Sequence, residues 1–215
     1  MTAAEMKYEF EIKNELIADL SNPDLEDDEI SLFLNNAQDK LVEELFAASR
    51  MEVLTELIKT LDVGTGVGAT YTEISNAKQY AFATSNELMF YIDSTVKTTR
   101  TNPTVTDEWI KCDKIDKSIA HKFSETGFNI PWFKEPKMFL EDNLIVVIHD
   151  AYTTEIDELK FEYIKHPVRI NVESGSDVHC ELRDFLHMDV VNKAIQMLMA
   201  SYEDNERRQQ TQGRR

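Results

Sequence analysis

The chain has 215 residues, a formal net charge of −17, 42% apolar and 29% charged residues, enough for one well-cored domain or a domain carrying a substantial insertion. No run approaches the roughly 20 apolar residues of a membrane span, and the acidic start at Glu5, Glu9 and Glu11 lacks the basic-then-apolar order of a signal peptide. Such acidity repels phosphates and forgoes the counterion release behind nonspecific nucleic-acid binding. It therefore argues against a DNA-gripping protein, while suiting either an ordinary acidic protein or a channel wall past which DNA slides.

In chain order, Thr2-x-x-Glu5 has capping-box spacing ahead of Met6, Phe10, Ile12, Leu16 and Ile17, which predicts a first helix ending near Leu20. Asn22-Pro23-Asp24 breaks it. The acids Glu26, Asp27, Asp28 and Glu29 then suit the positive end of a second helix over residues 25–48. Its apolar residues Ile30, Phe33, Leu34, Ala37, Leu41, Leu45 and Ala48 recur at three or four, a stripe that needs a partner helix. Ser49 is expected to cap a further short helix carrying Val53, Leu54, Leu57, Ile58 and Leu61. Gly64-Thr65-Gly66-Val67-Gly68 reads as a flexible hinge at a change of layer, because a phosphate loop needs a preceding strand and a following helix.

From about Tyr71 to Val172 the pattern changes to period two. Leu88, Phe90 and Ile92 alternate with Met89, Tyr91 and Asp93. Residues 95–106 read as an exposed loop with Asn102-Pro103 at its turn, and Trp109-Ile110-Lys111-Cys112 resumes a strand. Ile115, Ile119 and Phe123 share one face of a short helix. Glu141-Asp142-Asn143 separates Met138-Phe139-Leu140 from Leu144-Ile145-Val146-Val147-Ile148 as a hairpin turn does, and the latter run reads as buried on both faces.

Catalysis finds little to work with: there is no Gly-x-Ser-x-Gly elbow, no His-Glu-x-x-His helix and no zinc spacing among Cys112, Cys180, His179 and His187. His149-Asp150 is the best enzyme-like pair, although a strand-terminal His-Asp more often enters a turn. Asp27-Asp28 and Glu43-Glu44 read as solvated helix faces. No catalytic, cofactor or metal residue is assigned. Trp132-Phe133, between Pro131 and Pro136, reads either as an anchor for a neighbouring subunit or as a core plug.

Toward the C-terminus, Leu159, Phe161 and Tyr163 alternate with Lys160, Glu162 and Ile164 in a strand that Pro167 ends. Leu182, Leu186, Val190, Ala194 or Ile195, Leu198 and Tyr202 then stripe a helix. Beyond Glu203 no apolar anchor remains, and Arg207, Arg208, Arg214 and Arg215 reverse the sign of the charge, as in a frayed end or an arm that orders on an acidic partner.

The wording of this region, Tyr163-Ile164-Lys165-His166-Pro167, then Cys180-Glu181-Leu182, Leu186-His187 and Val190-Val191, resembles the C-terminal part of small neck proteins of crAss-like tailed bacteriophages. Glu29-Ile30 followed by Phe33-Leu34-Asn35-Asn36-Ala37-Gln38 and Leu41-Val42 resembles the N-terminal part of the same proteins. The resemblance implies a virion protein of the neck, assembled in the host cytoplasm. Such a head-to-tail connector forms a ring under the portal protein, twelve-fold in that family, and continues the DNA channel without specific DNA binding. It also offers a surface to the adjacent tail ring protein and needs neither cofactor nor membrane. On this reading Arg207, Arg208, Arg214 and Arg215 meet the portal, and Trp132 and Phe133 meet a neighbouring copy.

Another tail ring or hub component is the nearest alternative. A small acidic cytoplasmic enzyme or regulatory binding module is the alternative from a different class. The expected fold is α+β: a helical bundle of residues 1–62 and 177–203, a mainly antiparallel β-rich insertion over residues 63–176, and a flexible basic arm over residues 204–215.

Overall fold

The computed structural model describes residues 1–17, 25–64, 70–74, 77–84, 87–101, 104–125, 130–132, 134–142, 144–150, 154–173 and 175–212. The protein is an α+β fold of two units, Met1–Leu57 with His166–Arg215, and Ile58–Lys165. The β-rich unit is thus inserted in chain order between helices, as the change of periodicity implies. Its limits fall at Leu57 and His166 instead of near residues 63 and 176.

In the helical unit, α1 (Ala3–Ile17) opens on the expected capping box: Thr2 N–H donates to Glu5 Oε2 at 2.8 Å, and Glu5 N–H donates to Thr2 Oγ1 at 3.2 Å. It buries Ala3, Met6 and Phe10, and the Phe10 ring stacks 6.4 Å from Phe33. Helix α2 (Asp27–Ala47) has a second capping box, between Glu26 and Glu29, and its first turn carries Asp27, Asp28 and Glu29 where the helix dipole favours negative charge. Ser49 does not begin another helix. It sits at φ 57°, and Arg50 N–H closes back on Leu45 O at 2.9 Å, a left-handed C-terminal cap for α2.

Two single turns of 3₁₀ helix, Met51–Val53 and Thr55–Leu57, follow. Ile58 and Leu61, expected in a helix, lie instead in strand β1 (Ile58–Gly64). Helix spacing and alternate strand positions coincide over so short an apolar run, and pairing with a distant strand decides between them. Gly64 ends that strand opposite Glu158; the remainder of the glycine-rich stretch lies outside the described residues.

Helix α4 (Asp184–Gln212) packs against both α1 and α2 and buries Leu186, Val190, Val191, Ala194, Ile195 and Leu198. Its backbone stays helical through Gln212, so the expected arm is largely a helical extension. Glu, Arg and Gln are good helix formers, and elongating an existing helix avoids the cost of nucleation.

The β-rich unit contains β1, β2 (Thr70–Ile74), β3 (Ala77–Ala83), β4 (Leu88–Thr101), β5 (Thr104–Lys111), β6 (Asp113–Lys114), α3 (Lys117–Glu125), β7 (Lys137–Glu141), β8 (Leu144–Asp150) and β9 (Thr154–Lys165). One sheet has the order β1-β9-β4-β5 and is antiparallel. The other has the order β2-β3-β8-β7-β6, parallel only between β6 and β7. Residues 95–106 are therefore not a loop: most belong to the β4 and β5 ladder, with Thr101 opposite Thr104. Their Thr and Val content favours the pleated state despite its polarity.

Phe82, Val96, Met138, Ile145, Val147, Leu159, Phe161 and Tyr163 form one core between the two sheets. Val146 and Ile148 point the other way and pack with Phe139 under Ala120 of α3, so β8 is buried on both faces as its uninterrupted apolar run implies. Asp142 takes φ 50° at the tight β7–β8 turn. Alternation fails at the start of β4. Register shifts between Leu88 and Phe90 and between Tyr91 and Asp93 bring Leu88 and Tyr91, rather than Leu88, Phe90 and Ile92, against the core.

Candidate interaction surfaces

In the β-rich unit, Glu135 N–H donates to the Trp132 carbonyl oxygen at 2.8 Å. Pro131 and Pro136 on either side are buried, whereas Trp132 is 57% exposed, so the tryptophan does not plug the core. Phe133 lies outside the described residues. Arg207 and Arg208 fall in the final turns of α4; Arg214 and Arg215 lie outside the described residues. The tryptophan and the arginines belong to different units.

Within the helical unit, polar side chains of α2 meet the extended run that follows Pro167. Asn35, on α2, donates from Nδ2 to Ile170 O at 2.9 Å and accepts the Ile170 N–H at Oδ1 at 2.7 Å. Ser31 Oγ accepts the Val172 N–H at 3.2 Å, and Gln38 Nε2 donates to Val168 O at 3.0 Å. Positions 31, 35 and 38 share one face of a helix, so their side chains act as the neighbouring strand for the extended run after Pro167. Gln38 Oε1 also accepts the Cys180 thiol at 3.1 Å, and Arg169 pairs with Asp39 at 2.6 Å. Sequence reading places Asn35 and Gln38 within a recognisable run but assigns them no task. Polar residues recurring at helical spacing inside an apolar stripe were the available signal.

Two histidines surround the start of α1. Ala3 N–H donates to His179 Nδ1 at 3.2 Å, and the Met1 nitrogen lies 2.9 Å from His187 Nδ1. His187 is buried and directs Nε2 at Leu182 O, 2.7 Å away. Because a carbonyl only accepts, Nε2 carries the proton and Nδ1 accepts. Desolvation pushes the buried Cys180 thiol up to about 11 and the Cys112 thiol up to about 12, which leaves both protonated and poorly nucleophilic.

His149 of the enzyme-like pair is buried, stacks on Tyr80 at 5.3 Å and bonds the Asp150 main-chain oxygen at 2.8 Å. Those contacts describe a packed strand end. Among the described residues, no group of three or more His, Cys, Asp or Glu side chains is arranged to hold a metal ion.

A groove of about 410 Å³ separates α1 from α4, lined by Lys13, Leu16, Asn192, Ile195, Gln196 and Met199. Lys13 bridges it by donating to Asn192 Oδ1, while Leu16 is 80% exposed. On the outer face of the four-stranded sheet, Lys97 pairs with Glu158 at 3.0 Å, Lys111 pairs with Asp93 at 2.8 Å, and Lys160 lies 4.4 Å from the Trp109 ring centroid. Among the described residues, no helix is long and apolar enough to cross a membrane.

Comparison with models of known protein families and with curated proteins gives no match. The fold class is α+β: a helical unit interrupted in sequence by a β-rich unit of two mostly antiparallel sheets.

Proposed function

We infer that this chain is a structural protein of a tailed-phage neck, a connector ring that docks on the portal and continues the DNA channel toward the tail. The observation that supports the reading is a contact between the two resembling segments: Gln38 Oε1 of the N-terminal run accepts the Cys180 thiol of the C-terminal run at 3.1 Å.

The role of the ring is mechanical. Exposed Trp132 offers aromatic area to a neighbouring copy, and the arginines at the end of α4 offer bidentate donors to carboxylates on the portal. An acidic body lets DNA pass without adhering.

The test is electron microscopy of the purified protein mixed with the portal protein encoded beside it. Rings stacked coaxially on the portal are the expected class averages. A chain that stays monomeric by light scattering in the presence of assembled portal overturns the assignment.

A further inference from the structure

We propose that His179 and His187 form a pH-sensitive latch that holds the start of α1 against the helical unit at neutral pH and releases it on acidification. Both imidazoles face α1 with Nδ1, and both receive a donor there: Ala3 N–H at 3.2 Å and the Met1 nitrogen at 2.9 Å. A nitrogen that accepts must be bare. For His187 the assignment is fixed from the other side of the ring, because Nε2 donates to Leu182 O at 2.7 Å.

Protonation places a hydrogen on each Nδ1, turning two acceptors into donors that confront N–H groups. It also places positive charge at the N-terminal ends of α1 and α4, where the helix dipoles oppose it. A carboxylate stands near each new donor. Asp177 Oδ2 lies 3.7 Å from His179 Nδ1, and Asp184 Oδ1 lies 3.6 Å from His187 Nδ1. Each histidine therefore stands between a nitrogen donor that needs its Nδ1 bare, the Ala3 N–H for His179 and the Met1 ammonium for His187, and a carboxylate that rewards its charge.

Among the charged groups nearby, the Met1 ammonium shares Asp184 Oδ1 with His187, at 3.2 Å, and the others are engaged elsewhere. Glu5 accepts the Thr2 N–H, Glu181 accepts the Val168 N–H, and Arg183 lies 3.8 Å from Glu56; α2 contributes the neutral Gln38. Release of α1 uncovers the surface that Ala3, Met6 and Phe10 occupy, all three fully buried when the helix is docked.

The experiment is amide hydrogen exchange of the full chain at about pH 7.5 and 5.5, each corrected for intrinsic exchange, spanning the range in which an imidazole ordinarily titrates. Residues 3–10 are expected to lose protection by about tenfold at the lower pH, the scale set by losing one or two net hydrogen bonds, while residues 30–45 of α2 hold theirs.

In the variant carrying both His179→Asn and His187→Asn, an amide oxygen replaces each Nδ1 and cannot titrate, so the pH dependence of α1 disappears. His179→Asn alone, at a half-exposed position that tolerates change, should reduce it. Equal protection of α1 at both pH values in the wild type, or a pH dependence that survives in the variants, overturns the latch.

Discussion

Asn35 and Ile170 exchange two hydrogen bonds, at 2.9 and 2.7 Å, so one side-chain amide on a helix satisfies both backbone groups of a buried residue in an extended segment. The pairing imitates a strand ladder without a strand. Removing the amide leaves an N–H and a C=O desolvated and unpaired, a larger cost than the net value of the bonds themselves. Asn35→Ala is expected to destabilise the protein by about 2–4 kcal/mol in urea unfolding. Asn36→Ala, next to it but exposed, should change stability by less than about 0.5 kcal/mol. Similar values for the two variants would remove the joint from the account of the fold.

Phe161 carries the corresponding weight in the β-rich unit. It is 1% exposed, and its ring centroid lies 5.4 Å from that of Tyr91 and 5.9 Å from that of Tyr163. Phe161→Ala should cost about 3–5 kcal/mol through lost transfer energy and the cavity left behind. Lys160→Ala, on the other face of the same strand, should cost less than about 1 kcal/mol, the worth of its contact with Trp109. Thermal melts of the two variants separate the faces.

The thiols make a prediction about alkaline pH. Burial raises Cys112 from 9.0 to about 12 and Cys180 from 9.0 to about 11. The folded state therefore keeps protons that the unfolded state surrenders first. The associated stability is complete below about pH 9 and declines as pH rises toward 11 and 12. Iodoacetamide at pH 8.5 should accordingly label neither cysteine until the protein unfolds, as followed by mass spectrometry across a urea series. Rapid labelling of the folded protein would contradict the burial.

Truncation of residues 204–215 addresses the end of α4. Leu198 is the last buried residue along this helix among those described, so the truncated protein should melt within about 2 °C of the full chain. Under the connector reading, it should be retained less well on immobilised portal, with the difference largest at low salt. Equal retention at every salt concentration would leave the arginines without that task and direct attention to Trp132.

Duplex DNA supplies a further check. With a net charge of −17, the protein should show no submicromolar binding at physiological salt by fluorescence anisotropy. Tight binding with a steep salt slope would rule out a passive channel lining.

How much of this was legible before folding depended on whether a pattern was local. The α2 stripe from Ile30 to Leu45 and the alternation of Leu159, Phe161 and Tyr163 both survive, because each reports a single face meeting a single core. Ile145 to Ile148 reads correctly because β8 is covered on both sides there, whereas Leu144 at its start is exposed. The failures are non-local. Ile58 and Leu61 become a strand only because β9, far along the chain, supplies a partner, and the bulges of β4 shift its inward face in a way that no periodicity records. Asn35 and Gln38 were equally hidden: their partners are backbone atoms at positions 170 and 168, and backbone atoms have no spelling.

Ile58 and Ile164 face each other as cross-strand partners in β1 and β9. The β-rich unit therefore begins and ends at adjacent points on one sheet, and a segment with neighbouring ends behaves as a cassette. A recombination event that lifts out the stretch between Leu57 and His166, or exchanges it for another domain with closely spaced termini, need not stretch the flanking chain. Such geometry lets one half of a protein diversify under selection from a changing partner while the other half keeps its sequence.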